Sequence, residues 1–221
     1  MQQMRIVIAD DHRVVRAGLR ALLEQAGDCQ VCGEAGTGRE AVTLAAELSP
    51  DVVVMDLAMP ELNGLEATRQ IARDSPRVAV LMLSASESEE VVRQVLTAGA
   101  RGFVLKSDAA QDLVAAVKAL CGGQPFFSPR VSDWLLKDYL RSGPAATAAI
   151  PEQKQASVLT AREREVLQLL AEGQSNKEVA AALGIGVKTA EAHRANLVRK
   201  LGMKSLPELV RYAIRNHIVE L

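Results

Sequence analysis

The sequence predicts an α/β fold, a doubly wound five-stranded parallel sheet, followed by a second, smaller all-α domain with a helix-turn-helix. Short apolar runs rich in β-branched residues recur along the first half, and amphipathic helical patterns separate them. The last part of the chain contains helical patterns alone. We therefore divide the chain into a first domain at 1–122, a linker helix and flexible linker at 123–157, and a second domain at 158–221.

Five predicted strands alternate with five predicted helices in the first domain. Four strands are continuous apolar runs at 5–9, 51–55, 77–83 and 101–105, and the fifth is expected at 29–35. The helices, each with one apolar stripe, are expected at 14–25, 39–48, 65–73, 89–98 and 108–120. Five β-α units with right-handed crossovers bring the carboxyl ends of all strands to one edge of the sheet.

The rest of the chain is predicted to contain helices and one linker. A helix is expected at 128–141, and the Ala-, Pro- and Gln-rich segment 142–157 lacks an apolar stripe and is expected to be flexible. Thr160 and Glu163 predict a capping box at the start of a helix that ends near 172. Further helices are expected at 176–183, 187–201 and 206–216, and the tight turn 183–186 predicts a helix-turn-helix.

Composition and charge narrow the functional classes. No stretch approaches the roughly 20 apolar residues that span a bilayer, and no signal-peptide pattern is present, so we expect a cytoplasmic protein with no membrane partner. Residues 1–122 carry 12 Lys and Arg against 17 Asp and Glu, a net charge of −5. Residues 158–221 carry 10 against 7, a net charge of +3, which suggests that only the second domain binds a polyanion.

Cys29 and Cys32 have the C-x-x-C spacing of redox and metal sites. In a strand, however, residues three apart point to opposite faces and lie roughly 10 Å apart. A disulfide requires Cα atoms within about 7 Å. We therefore favour an ordinary strand over a redox or metal pair.

Polar residues end four of the predicted parallel strands. They are Asp10 with Asp11, Asp56, Ser84 and Lys106. Alone, each could be a helix cap or a turn residue, but polar groups gathered at this edge of a sheet normally mark a ligand site. Clustered carboxylates suit Mg²⁺, a lysine can neutralise phosphoryl oxygens and a hydroxyl can bond to one. The pattern therefore predicts phosphoryl transfer onto a carboxylate.

Residues 5–120 resemble the receiver domains of response regulators. The acidic pair, the stretch from Val54 to Pro60 with the following Asn63-Gly64, the serine and the lysine all match. The resemblance implies that Asp56 is the phosphoacceptor, with Ser84, Lys106 and the switch aromatic Phe103 acting beside it. It also implies Mg²⁺ held by Asp10, Asp11, Asp56 and the backbone carbonyl of Ala58.

Three positions of the first domain differ from the usual receiver pattern or adjoin the acidic pair. Phe103 stands where many receivers have Tyr, so no phenolic hydroxyl is available. Ser107 follows the lysine where many receivers have Pro. His12 adjoins the acidic pair, but the start of a helix explains it better than a catalytic role.

Residues 159–218 resemble the LuxR-type output domain of the NarL/FixJ subfamily. The matching stretches are 159–167, 173–180 and 188–201, in the same order and spacing. The resemblance implies double-stranded DNA as a partner. Gly186 stands where the subfamily usually has Ser or Thr, so the helix start offers no hydroxyl to a phosphate. No acyl-lactone sensor pattern precedes this domain.

The helix at 187–201 has two distinct faces at 100° per residue. Its predicted scaffold face carries Ala190, Leu197 and Leu201. Its predicted major-groove face carries Lys188, Glu191, Ala192, Ala195 and Arg199.

Each DNA-facing side chain receives a predicted role from its chemistry. Lys188 suits a guanine edge or a phosphate, Glu191 a cytosine amine and Ala192 a thymine methyl. Arg194 is expected to pair with Glu163 or Glu165 rather than with a base. The residues predicted to bind phosphates, and so to set the register of the protein on the DNA, are Arg199, Lys200, Asn176 and Lys177. The alternative for Arg199 and Lys200 is that they are solvated cations at a helix C-terminus.

These features predict a two-component response regulator that a sensor histidine kinase phosphorylates on Asp56 and that controls transcription by sequence-specific DNA binding. It would catalyse only its own phosphotransfer and dephosphorylation. A homodimer is expected on phosphorylation, paired through 206–216, and RNA polymerase is a further candidate partner. From the charge asymmetry we also expect the resting first domain to cover residues 188–199.

Two other functions fit parts of the pattern. One is a stand-alone phosphotransfer or interaction module whose second domain no longer binds DNA. The other is a haloacid-dehalogenase-like phosphatase, which needs a second Asp two residues after the first. Ala58 occupies that place, and the phosphatase is therefore disfavoured.

Overall fold

The computed structural model describes residues 3–86, 88–142, 159–203, 205–216 and 218–219. The five predicted strands are confirmed, and a sixth extends the sheet. All neighbouring strands are parallel, in the order β2-β1-β3-β4-β5-β6. Their bounds are β1 Met4–Ala9, β2 Cys29–Ala35, β3 Val52–Asp56, β4 Ala79–Ser84, β5 Gly102–Leu105 and β6 Phe126–Phe127.

Helices cover both faces of this sheet, as the doubly wound prediction requires. They are α1 Arg13–Gln25, α2 Gly38–Leu48, α3 Gly64–Asp74, α4 Glu89–Thr97 and α5 Ala109–Cys121. One apolar cluster lies under α2, α3 and α4, and a second lies under α1 and α5. The strand order reverses beside β1 and β3, which places the ends of these two strands at the crevice where open α/β sheets bind ligands.

The segment predicted as a linker helix packs on the first domain. Helix α6 spans Pro129–Ser142, close to its predicted bounds, and β6 pairs Phe127 with Phe103 of β5. Val131 is fully buried in the cluster under α4. A two-residue strand is too short to show a period, so the sequence pattern could not predict β6. Apart from Ser142, the predicted flexible linker 142–157 lies outside the described residues.

The second domain consists of α7 Ala161–Ala171, α8 Asn176–Ala182, α9 Val187–Leu201 and α10 Leu206–Arg215. These bounds confirm the four predicted helices. The Thr160–Glu163 capping box is confirmed, and Ser175 and Glu178 form a second one at the start of α8. On α9, Ala190 and Leu197 are buried, and Leu201 packs against the core formed with α7 and α10.

Two further predictions concern cysteines and membranes. Cys29 lies in the cluster under α1, whereas Cys32 packs against the cluster on the opposite face. Both thiols are free, as the strand interpretation predicts. Within the described ranges, none of the helices has the length and apolar character that crossing a membrane requires.

Candidate functional site

The ends of β1, β3 and β5 bring two carboxylates and an ammonium group together. Lys106 Nζ lies 2.8 Å from Asp56 Oδ1 and 2.9 Å from Asp10 Oδ2. Asp10 and Asp56 are buried, with 0% and 4% of their surface exposed. Two buried carboxylates would repel each other strongly, and the shared ammonium offsets that repulsion.

The backbone around Asp56 is closely packed. Asp56 ends β3, and the Leu57 N–H donates to the Leu83 carbonyl of β4 at 3.1 Å. The first turn of α3 returns onto this strand end, so that a Cβ on Gly64 would lie 1.9 Å from the Asp56 carbonyl oxygen. Gly64 is therefore required by a close backbone approach, which explains the Asn63-Gly64 pair that follows the acceptor stretch.

Burial raises the pKa of Asp56 to about 6, and the nearby Asp10 carboxylate adds to the effect, while Lys106 opposes it. For Lys106, burial favours the neutral amine, but hydrogen bonds to Asp56 and Asp10 outweigh it and raise the pKa. Lys106 is therefore a fixed positive charge beside a carboxylate that is incompletely neutralised. Such a carboxylate favours a further cation.

Asp11 and His12 form the exposed side of the site. His12 Nδ1 lies 2.6 Å from Asp11 Oδ1 and 3.5 Å from Asp10 Oδ1. Among the described residues, ligand atoms of Asp10, Asp11 and His12 lie within 4.8 Å of one another, in a group that does not include Asp56. Carboxylate oxygens from these two acids fit a hard divalent cation such as Mg²⁺.

The other predicted site residues lie on adjoining elements. Ser84 ends β4, is buried, and its Oγ accepts a hydrogen bond of 3.0 Å from the Ser86 N–H. Phe103 is fully buried on β5, opposite Met82 of β4. Ala58 lies two residues beyond Asp56 and is half-buried. The strand ends therefore lie together as predicted, with the Ser84 hydroxyl engaged by its own loop.

The predicted DNA-facing side of α9 is exposed. Asn196 Oδ1 accepts a hydrogen bond of 3.0 Å from Arg199 Nη2. The glycine at the N-cap, Gly186, makes no side-chain cap, as its lack of a hydroxyl requires. The exposed residues on this side are Lys188, Glu191, Ala192, Ala195 and Arg199.

The structure corrects the predicted partner of Arg194 and gives Lys200 a partner within the domain. Arg194 does not pair with Glu163 or Glu165; its Nη1 donates to Asn176 Oδ1 at 3.2 Å. Lys200, predicted to hold a phosphate, lies with its Nζ 2.7 Å from Glu163 Oε2. Glu163, in the first turn of α7, therefore pairs with Lys200 near the C-terminal end of α9 and not with Arg194.

The hypothesis that the first domain covers residues 188–199 is wrong for this structure. The hydrogen bonds found between the domains, within the described residues, join the 59–70 region to α7 and to Ile218. Net charge did not predict the position of this contact, because acids occur on and next to α7, at Glu165 and at the C-cap residue Glu172. Local pairs on α7, and not the overall +3, decide where the first domain binds.

Sequence comparison identifies both domains. Residues 6–118 match the family described as "Response regulator receiver domain", and residues 157–213 match "Bacterial regulatory proteins, luxR family". The transcriptional regulatory protein LiaR of Bacillus subtilis is 39% identical over 98% of this chain and 99% of its own length. The oxygen regulatory protein NreC of Staphylococcus aureus is 38% identical over 98% of this chain and 100% of its own.

Solved structures agree with this assignment. The RcsB response regulator of Salmonella typhimurium is 31% identical, with a TM-score of 0.58 over 96% of this chain and 98% of its own. A complex of the response regulator RcsB with DNA has a TM-score of 0.59 and 29% identity, over 97% of this chain and 99% of its own. The chain therefore belongs to the response regulators of two-component systems, in which a receiver domain is followed by a LuxR-type DNA-binding domain.

Proposed function

We propose that Asp56 accepts a phosphoryl group from a sensor histidine kinase and that this modification controls DNA binding and transcription. The observation that carries the proposal is the cluster in which Lys106 joins Asp10 and Asp56 beside Asp11. It combines a buried nucleophilic carboxylate, a fixed cation and acidic oxygens suited to a divalent metal. Catalysis of phosphoryl transfer consists largely of positioning and charge neutralisation, which these groups supply.

In the proposed reaction, an Asp56 carboxylate oxygen attacks the phosphorus of a phosphohistidine. An O–P bond forms, the P–N bond breaks, and the electron pair leaves with the imidazole. Lys106 neutralises phosphoryl oxygens, and the Ser84 hydroxyl, whose oxygen accepts from the Ser86 N–H, donates its own O–H to one of them. Mg²⁺ held by Asp10, Asp11, Asp56 and the Ala58 carbonyl would supply further positive charge when bound.

Incubation with acetyl phosphate and Mg²⁺ tests this proposal without a kinase. The intact mass is expected to increase by one phosphoryl group, and hydroxylamine should remove it, because an acyl phosphate is a reactive carbonyl derivative. Chelation of Mg²⁺ should suppress labelling. A hydroxylamine-stable phosphate, or labelling that ignores chelation, would contradict an aspartyl phosphate formed at a metal site.

For DNA, we propose that the exposed side of α9 enters the major groove. Lys188, Glu191 and Ala192 would contact base edges, as would the small Ala195 by close approach. Phosphates would be held by Lys177, Asn176, Arg199 and Lys200, and the Lys200 ammonium group, which pairs with Glu163, has further donors for a phosphate. The similarity of the chain to RcsB in complex with DNA supports DNA binding by this domain.

A homodimer is proposed for the phosphorylated protein, since RcsB dimers bound to DNA resemble this chain. The α10 helix is the candidate contact because its Leu206 is 42% exposed. Two α9 helices could then read half-sites related by two-fold symmetry.

We also propose that the protein acts in the cytoplasm, because DNA and a kinase are its proposed partners. RNA polymerase is a further candidate partner.

Lys177→Ala and Glu191→Ala are expected to affect DNA binding differently. Lys177 is exposed at the start of α8, and losing one phosphate contact should weaken binding to all sequences and reduce the salt slope by about 0.9. Glu191→Ala should instead change the preferred base, with an effect of about 1–3 kcal/mol. Binding to a panel of operators at several salt concentrations checks both. Identical effects of the two substitutions would refute this division of roles.

A further inference from the structure

Gln168 of α7 binds the loop that follows the phosphoacceptor. Its Oε1 accepts from the Asn63 N–H at 2.8 Å, and its Nε2 donates to the Met59 carbonyl at 2.8 Å. The same Nε2 donates to Glu172 Oε1, also at 2.8 Å. Gln168 is only 2% exposed. One side chain of the second domain therefore satisfies two backbone groups of the receiver.

Two more contacts hold the same loop. The Glu61 N–H donates to the Glu172 carboxylate at 3.2 Å, and Asn63 Nδ2 donates to the Ile218 carbonyl at 3.3 Å. Glu61 has a φ of 64°, a left-handed conformation that is unfavourable for residues other than glycine. The second domain thus adds hydrogen bonds to a loop that contains an unfavourable backbone conformation. We call residues 59–63 the phosphoacceptor loop.

The phosphoacceptor loop is closely tied to Asp56. It begins three residues beyond Asp56, and at its far end the Gly64 N–H donates to the Leu57 carbonyl at 2.8 Å. A phosphoryl group must be added to a carboxylate that is 4% exposed. We take the added phosphoryl atoms to displace this loop, and a displacement that separates it from α7 breaks the hydrogen bonds to Gln168 and Glu172.

We infer that Gln168 is a positioning residue through which the docked second domain restrains the phosphoacceptor loop and slows phosphorylation of Asp56. This inference rests on the proposed function. A phosphorylated site that keeps the loop displaced also disfavours the docked α7 at equilibrium, and that equilibrium coupling is reciprocal. The receiver therefore signals through the loop adjoining its reactive carboxylate, and α9 stays uncovered in both states.

The interface also contains an ionic contact separate from the phosphoacceptor loop. Glu66 on α3 is 3% exposed and pairs with Arg164 of α7 at 2.8 Å and with Arg69 of its own helix at 2.9 Å. Gln70 Nε2 donates to Glu165 Oε1 at 3.2 Å. These pairs remain when Gln168 is changed, so a Gln168 variant tests the restraint on the loop in a chain that keeps its other interdomain contacts.

Gln168→Glu in the full chain tests the inference. It preserves the shape of the side chain, removes the donors to Met59 and Glu172, and places a carboxylate beside Glu172. Labelling by acetyl phosphate and Mg²⁺ is expected to become about fivefold faster, the factor that one lost hydrogen bond represents. Amide hydrogen exchange at Glu61 and Asn63 should become faster as well.

Gln174→Glu is the matched control, because it adds the same charge in the same domain outside the hydrogen bonds to the receiver found among the described residues. It should label and exchange like the wild type. Should Gln168→Glu fail to fold by circular dichroism, Gln168→Ala takes its place with the same expected results. In wild-type protein, phosphorylation itself should accelerate exchange at Glu61, at Asn63 and along α7.

Three outcomes decide the matter. Faster labelling and exchange in the Gln168 variant alone support the inference. Faster exchange with unchanged labelling overturns it, since Gln168 would then hold the loop without affecting the rate of phosphorylation. Unchanged exchange also overturns it. Absence of any labelling in the wild type would instead refute the proposed function, so the two failures are distinguishable.

Discussion

Replacing Asp56 with Asn is expected to abolish acyl-phosphate formation by acetyl phosphate and Mg²⁺ while the fold is retained. The amide has nearly the same shape but is a poor nucleophile, and it cannot form the acyl phosphate. Lys106 keeps its 2.9 Å ion pair with Asp10, so the site does not lose its remaining charge balance. Intact-mass measurement follows the label, and circular dichroism follows the fold.

Asp74→Asn provides the comparison. Asp74 ends α3 of the same domain, and its exposed carboxylate pairs with Arg73 at 2.7 Å. This variant should label like the wild type, because its carboxylate lies at the other end of the helix from Gly64. Full labelling of the Asp56 variant would move the phosphoacceptor elsewhere, and Asp11 would be the next residue to examine.

The strand-end site was predictable because topology alone brings its residues together. In a parallel sheet, residues that follow β1, β3 and β5 share one edge, whatever packs around them. The contacts of Lys106 with Asp10 and Asp56 follow from that geometry. The second capping box, at Ser175 and Glu178, has the spacing of the first, with Ser in place of Thr, and was also open to prediction.

The contact between the domains could not be predicted from sequence patterns. Gln168 and Met59 are separated by 109 residues, and a glutamine on a helix carries no signal of what it binds. Net charge was misleading as well, because Glu165 and Glu172 are acids on a domain of positive charge. For the same reason the partners of Arg194 and Lys200 depend on how α7, α8 and α9 pack, which periodicity does not define.

Stability is expected to depend on pH through Asp56. Burial raises its pKa from 3.8 to about 6, so the folded protein holds this proton more tightly than the unfolded chain does. The stabilising contribution of the protonated carboxyl is therefore present below pH 3.8 and is lost as pH rises towards 6 and beyond. At about 1.4 kcal/mol for each pKa unit, the loss amounts to about 3 kcal/mol.

Asp56→Asn removes this titration. The quantity to measure is therefore the difference in unfolding free energy between the variant and the wild type. In the presence of a chelator at pH 8, the free energy of unfolding of the variant should be about 3 kcal/mol higher than that of the wild type. This difference should become smaller towards pH 4.5. Other carboxyls, such as Glu34, titrate in both proteins and cancel. Mg²⁺ at pH 8 should stabilise the wild type more than the variant, because the ionised Asp56 favours a bound cation. A difference in unfolding free energy that stays constant from pH 4.5 to 8 would show that Lys106 already neutralises Asp56 fully in the folded protein.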